Sequence, residues 1–304
     1  MDLGAGDSAS NYADNLFFDP PFVVSAPKRQ TLPVVFDSPH SGRRYPPPLL
    51  ARSRLDPRTL RRSEDSFVDM IFSGVVAQGA PLIAAQFPRA YVDVNRERYE
   101  LDPAMFHDTL PSHANTSSAR VSGGLGTIPR VVAEGSEIYR DKLTFLEVEA
   151  RLAALYTPYH MALRDLMNRT QARFGWAVLI DCHSMPSQST WGEPGESTLP
   201  RPDIVLGDRH GTSCAPEVVL GVERYLVGRG YRVIRNSPYA GGYITEHYGR
   251  PAEGWHGLQI EINRAIYMNE VTFKLTKGYE RLAHDMSFIG QVIAGSMARP
   301  LAAE

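Results

Sequence analysis

Two histidines stand just past two apolar runs. Ala177-Val178-Leu179-Ile180 leads into Asp181-Cys182-His183-Ser184, and Leu32-Pro33-Val34-Val35-Phe36 leads into Asp37-Ser38-Pro39-His40-Ser41-Gly42. Short apolar runs bounded by polar residues predict strands buried on both faces. In open α/β sheets, ligands bind beyond the carboxyl ends of such strands. A satisfied strand-end histidine is a common structural feature, whereas two at two strand ends form a candidate pair of metal ligands. An acid from Glu64 or Asp65 would complete a three-ligand set with an open position for water, the pattern of a hydrolytic zinc site. The structural alternative for these two acids is capping of a helix that begins at Ser63. A metal so held makes water acidic and polarises a carbonyl. A carboxylate outside the ligand set must then accept the water's proton and pass it to the leaving amine. Glu261 is the candidate for that task. Arg96, at the end of Tyr91-Val92-Asp93-Val94-Asn95, suits a carboxylate substrate because its planar fork can grip two oxygens.

The elements that must position these residues follow from periodicity. Strands are expected at 32–36, 81–85, 91–96, 177–184, 203–208, 231–234 and 258–264. In the last of these Leu258, Ile260 and Ile262 take one face and Gln259, Glu261 and Asn263 the other. That pattern fits a half-buried edge strand or a polar stripe facing a site. Asp181 and His183 share a strand face, as do Asp93 and Asn95. Helical spacing is expected after Ser63, from Leu143 to Arg173 with a break or kink at Pro158, from Ala215 to Gly230, and over 270–296. Residues 102–127 and 187–202 read as loops. Residues 1–30 read as an N-terminal arm, with Phe17, Phe18, Phe22 and Val23 able to dock on the body or on a neighbouring subunit, so a homo-oligomer is compatible with the sequence. Residues 31–304 are then a single domain. Alternating strands and helices predict an α/β sandwich around a largely parallel or mixed sheet.

Composition narrows the functional classes. The chain has 304 residues, 43% of them hydrophobic, enough for a sizeable core. A net charge of −2 leaves no electrostatic footprint for nucleic acid. No apolar run is long enough for a membrane-spanning helix, and the polar, acidic start lacks the order of a signal peptide. The two cysteines, Cys182 and Cys214, cannot form a disulfide framework, so the cytoplasm is the expected compartment. Cys182 reads as a small buried residue. The H-E-x-x-H signature and any C-x-x-C pair are absent, the glycines near 123–126 do not match a phosphate cradle, and no G-x-S-x-G elbow surrounds Ser41 or Ser184.

Five short motifs occur in order: Pro39-His40-Ser41-Gly42, Asp93-Val94-Asn95-Arg96, Asp181-Cys182-His183-Ser184, Gly241-Gly242-Tyr243-Ile244-Thr245 and Gln259-Ile260-Glu261-Ile262. Together they closely resemble the N-formylglutamate amidohydrolase family over roughly residues 30–290. The resemblance implies the α/β/α sandwich of zinc carboxypeptidases and aspartoacylases (a phosphorylase/hydrolase-like fold with a mixed, largely parallel central sheet). It also implies metal-dependent hydrolysis of an N-formyl or other N-acyl amino acid. In the family's best-known role, N-formyl-L-glutamate from histidine degradation becomes formate and L-glutamate.

Carried onto this chain, the resemblance makes His40 and His183 the metal histidines and Asp65 the acid ligand, with Glu64 as its alternative. Carboxypeptidases take two ligands from H-x-x-E, but that slot here is Arg43, so the acid must come from further along. The implied metal is Zn2+, with Co2+ or Fe2+ as alternatives. Glu261 becomes the general base, Arg96 with Asn95 the clamp for the substrate carboxylate, and Arg130 a group that binds a second carboxylate or polarises the scissile carbonyl. Tyr243 and Thr245 line the pocket, and Asp181 orients His183. The competing expectations are a related zinc hydrolase acting on another N-acyl amino acid or peptide-like amide, and a non-catalytic binder of acidic ligands. The partner implied is a small acidic N-acyl amino acid, with neither nucleic acid nor membrane.

Overall fold

The computed structural model describes residues 17–132, 135–188 and 201–297. Seven strands form one sheet: β1 (Phe22–Ser25), β2 (Val34–Ser38), β3 (Leu82–Ala85), β4 (Ala177–Met185), β5 (Ile204–Gly207), β6 (Val233–Arg235) and β7 (Trp255–Asn263), in the order β1-β3-β2-β4-β7-β5-β6. β4 pairs in parallel with both β2 and β7, and β5 pairs in parallel with β6; β5 runs antiparallel to β7. The sheet is therefore mixed and mostly parallel, within an α/β fold. A separate two-stranded ladder joins β8 (Met268–Asn269) to β9 (Lys274–Leu275). The helices are α1 (Pro47–Arg52), α2 (Pro57–Leu60), α3 (Val68–Ile71), α4 (Ala119–Ser122), α5 (Phe145–Arg151), α6 (Thr157–Phe174), α7 (Pro216–Gly228), α8 (Tyr243–Tyr248), α9 (Gly278–Ser287) and α10 (Ile289–Met297).

Two compact units can be distinguished. Among the described residues, one comprises 17–23, Pro39–Ser66 and Ala84–Ala162; the other comprises Val24–Ser38, Phe67–Ile83 and those from Leu163 onward. In the second unit every residue of β4 and β7 is buried. Alternation splits those residues between two chemistries. Val178, Ile180, Cys182, Leu258, Ile260 and Ile262 join the apolar core with residues of α3, α7, α9 and α10. Each fully buried Val, Leu or Ile there contributes roughly 1.5–3 kcal/mol. The opposite face carries Asp181, His183, Gln259 and Glu261 and is met by α8. Gly257 permits that approach, since a Cβ at residue 257 would lie 2.8 Å from the Thr245 carbonyl oxygen.

The first unit is built largely from turns tied by polar side chains. Asp56 caps α2 by accepting from the backbone N–H groups of Arg58 and Thr59, and Thr144 caps α5. Arg151 is buried, its guanidinium 4.1 Å from the Tyr91 ring centroid. Phe18 packs edge-on against Phe87 and, tilted and 5.7 Å away between ring centroids, against Tyr91. Within the expected arm, Phe22–Ser25 forms edge strand β1; residues 1–16 lie outside the described residues.

The structure corrects several local expectations. Tyr91–Arg96 is not a strand. Asp93 sits in a turn where its Oδ1 accepts from the Asn95 backbone N–H at 2.9 Å, so local side-chain bonding replaces a ladder. Ser63 caps no helix. Its hydroxyl donates to the Leu60 carbonyl at the end of a 3-10 turn, and α3 begins only after Phe67, whose φ is +68°. Pro158 does not break the helical run. A π-helical stretch, Leu152–Tyr156, precedes it, and the Thr157 hydroxyl donates to the Leu152 carbonyl. A wider turn of this kind lets a helical run continue past a residue without an N–H. The helix expected over 270–296 starts at Gly278 and is divided at Phe288; the residues before it form the β8–β9 ladder around Asn269, whose side chain accepts from Val271 and Thr272. β7 is a central strand, not an edge, so its polar stripe is enclosed. Of the loop expected at 187–202, residues 189–200 lie outside the described residues.

Candidate functional site

His40 lies two residues past β2 in the turn Pro39–Gly42. A Cβ on residue 42 would fall 1.9 Å from the Phe87 carbonyl oxygen, so only glycine lets this turn lie against Phe87. The His40 carbonyl accepts from the Asp65 N–H at 3.1 Å and the Ser41 hydroxyl donates to the Asp65 carbonyl at 3.2 Å. These bonds bring the Asp65 side chain to the imidazole, with Oδ2 3.3 Å from Nδ1. Glu64, one residue earlier, is directed elsewhere: its carboxylate accepts from Tyr45 Oη, Arg61 Nε and Ser66 Oγ.

The other His40 nitrogen, Nε2, is 2.7 Å from Asp93 Oδ1. Burial opposes charge on Asp93, but Arg89, Arg96 and His40 outweigh it and hold the carboxyl well below the usual carboxylate range. An ionised carboxylate can only accept, so Nε2 carries the proton and donates, which in the neutral imidazole leaves Nδ1 as the lone-pair nitrogen. Arg89 Nη2 donates to Asp93 Oδ2 at 2.8 Å, and Arg96 Nη2 lies 3.7 Å from it. Arg96 also donates to the carbonyls of Leu125 and Asn95.

His183 is carried by β4. Its Nε2 is 2.5 Å from Asp181 Oδ1, and Asp181 Oδ2 accepts from Thr245 Oγ1 at 3.1 Å. Thr245, expected to line a pocket, is fully buried against Asp181. Parallel pairing sets His183 opposite Glu261 and Asp181 opposite Gln259. Glu261 is buried, and its Oε1 accepts from Gln259 Nε2 at 2.9 Å. Tyr243 opens α8, its ring stacked on His247 and its hydroxyl 3.3 Å from His247 Nδ1. Arg130 is half-exposed, ion-paired with Asp102 and Glu137, and lines with Arg54, Arg140 and Lys142 an open cavity of about 150 Å³.

His40 and Asp65 in the first unit and His183 in the second are all buried, and each offers a donor atom of the kind that holds a metal ion. Two imidazoles and one carboxylate fit a borderline divalent ion. Each imidazole has one nitrogen against a carboxylate, an arrangement that fixes ring orientation and raises basicity where an imidazole ligates a metal. Burial, then Asp37 and Asp181, push the Cys182 thiol up, so it stays protonated and unreactive. The sequence reading missed Asp93 as the partner of His40 and Gln259 as the partner of Glu261. The i, i+2 spacing of Gln259 and Glu261 on one strand face was an available signal for the second.

The family described as N-formylglutamate amidohydrolase matches residues 32–268. The chain is similar to the N-formylglutamate deformylase of Pseudomonas aeruginosa, at 29% identity over 80% of this chain and 85% of the relative. It is similar to that of Pseudomonas putida at 28% identity, over 79% and 83%. A crystal structure of N-formylglutamate amidohydrolase from Ralstonia eutropha JMP134 superposes with a TM-score of 0.85 at 39% identity, covering 90% of this chain and 97% of that one.

Proposed function

The chain belongs to the N-formylglutamate amidohydrolase family, and we propose that it hydrolyses N-formyl-L-glutamate to formate and L-glutamate in a metal-dependent reaction of histidine degradation. The observation that supports this reading is the register that sets buried Glu261 opposite His183, in a chain whose His40, Asp65 and His183 supply a buried set of metal donors. These three side chains would hold Zn2+, or Co2+ or Fe2+, and the ion would supply acidified water and a polarised formyl carbonyl. Asp65 is favoured over Glu64 because the Glu64 carboxylate is engaged by Tyr45, Arg61 and Ser66.

The chain's own residues divide the remaining work. Glu261 accepts the proton of the attacking water and returns it to the departing amine of glutamate. Asp93 and Asp181 keep the two imidazoles in one tautomer and one orientation. Arg96, with Asn95, grips a carboxylate of the substrate; Arg130 binds the second carboxylate or polarises the scissile carbonyl. Tyr243 borders the substrate, while Thr245 acts through Asp181. No helix among the described residues is long and apolar enough to cross a membrane, and we assign the activity to the cytoplasm.

A turnover screen of formyl-, acetyl- and succinyl-L-glutamate, with metal content measured alongside, tests the assignment. Preference for the formyl substrate is expected. Equal or better turnover of a larger acyl group would move the chain to a different N-acyl amino acid, and tight binding without turnover would make it a binder.

A further inference from the structure

We propose that Gln259 is a positioning residue for Glu261, locked in place by the Gly241–Gly242 turn, which can reach the sheet only because residue 207 is glycine. This rests on Glu261 being the general base.

Gln259 Oε1 lies 2.7 Å from the Gly242 backbone nitrogen. The two ends of a glutamine amide are hard to tell apart by shape, and their assignment comes from the surrounding bonds. Here the partner decides it: a backbone N–H can only donate, so the atom facing Gly242 is the oxygen. The amide nitrogen therefore faces Glu261, 2.9 Å from Oε1, where a carboxylate can only accept. The two bonds run in one direction, from backbone N–H through the amide to the carboxylate. They hold Oε1 of the Glu261 carboxylate, whose register partner is His183. All three groups are in the second unit.

The lock depends on a close approach. Gly207 on β5 is the register partner of Gln259, so a side chain there would share its face of the sheet. A Cβ at residue 207 would lie 2.7 Å from both the Ala240 carbonyl carbon and the Gly241 nitrogen. These are backbone atoms, so the turn itself would have to move. Gly241 has φ +123°, a conformation that favours glycine, and the Ala240 carbonyl accepts from the Arg209 N–H at 2.7 Å. Gly242 is also the residue preceding α8. The same element thus braces two partners: Thr245 of α8 donates to Asp181 beside His183, and Gly242 holds Gln259 beside Glu261.

The test is a double-mutant cycle on the metal-loaded full chain with N-formyl-L-glutamate, comparing native protein, Gln259→Met, Glu261→Gln and the double variant. Gln259→Met is expected to lower kcat at least about tenfold, with KM unchanged and metal content and Tm near native. In the Glu261→Gln background the same change is expected to add nothing, because its effect passes through the carboxylate. Gly207→Ala is expected to reproduce the kcat loss. A native kcat for Gln259→Met, or the same fold-loss in both backgrounds, would overturn the proposal. A readout independent of substrate separates this from failure of the assigned activity: the isotope-edited infrared band of the Glu261 carboxylate, assigned by difference against Glu261→Gln, should shift in Gln259→Met. An unshifted band would overturn the positioning role even where the assay had used the wrong acyl group.

Discussion

Asp93 holds His40 through a 2.7 Å contact to Nε2 while Asp65 stands 3.3 Å from Nδ1, so the two nitrogens of one buried ring have separate tasks. In the proposed site Asp93 fixes the tautomer, and Nδ1, on the side of Asp65, is the nitrogen that would take the metal. Asp93→Asn keeps the shape but removes the charge that, if His40 ligates the proposed metal, makes its imidazole a stronger ligand. Metal affinity, measured by competition with a chromophoric chelator, should fall about 10- to 100-fold. Native affinity in this variant would remove Asp93 from the account.

Glu261→Gln should retain the metal and lose turnover by about 10²- to 10⁴-fold. The substitution preserves volume, and the site's donor from Gln259 can still meet an amide oxygen. Metal content by elemental analysis and kcat by formate release separate the two effects. Near-native kcat would reassign the general base.

Arg96→Lys and Arg130→Lys distinguish two proposed substrate contacts. Lysine keeps the charge and loses the fork. A residue that grips a substrate carboxylate should raise KM more than it lowers kcat, and each variant is expected to do so; an unchanged KM would show that the arginine serves its internal ion pairs alone.

His256 supplies a pH dependence away from the proposed metal residues. Its Nδ1 accepts from the Ala215 N–H, just before α7, at 3.2 Å. Burial holds its pKa below the ordinary 6.5, with Glu217 opposing. The unfolded chain therefore takes up a proton at a pH where the folded chain does not. The contribution to stability is fully present above the ordinary value and declines as pH falls toward the folded one. Urea midpoints between roughly pH 7.5 and 5.5 should drop more steeply for the native chain than for His256→Gln. Parallel curves would contradict this.

Gly257→Ala tests the packing of α8. The added Cβ would meet the Thr245 carbonyl oxygen at 2.8 Å and the Gly249 Cα at 3.3 Å, so a loss of about 1–3 kcal/mol is expected. A loss of activity beyond that loss of stability would indicate that the Thr245–Asp181 bond had been displaced.

Much of the molecule was legible in the sequence because its signals are local. Apolar runs ending in Asp181-Cys182-His183 and Asp37-Ser38-Pro39-His40 mark strand ends, and the alternation of 258–263 marks a strand with one polar face. What stayed hidden depends on distant partners. Tyr91–Arg96 alternates like a strand, yet Asp93 bonds Asn95, Arg89 and His40 instead of a neighbouring ladder. The proposed preference for Asp65 over Glu64 rests on Tyr45 and Ser66 engaging the Glu64 carboxylate, residues that no spacing rule connects to the site. Periodicity announced the polar stripe of β7, but an edge strand and a central strand can share that pattern, and only the register with β4 and β5 sets Glu261 opposite His183.

The most direct measurement is formate release from N-formyl-L-glutamate by the purified chain before chelation, after chelation, and after return of Zn2+. The account predicts about one bound ion per chain, activity lost with the ion and restored with it, and no restoration in His183→Ala. Full turnover by the metal-free protein would contradict it.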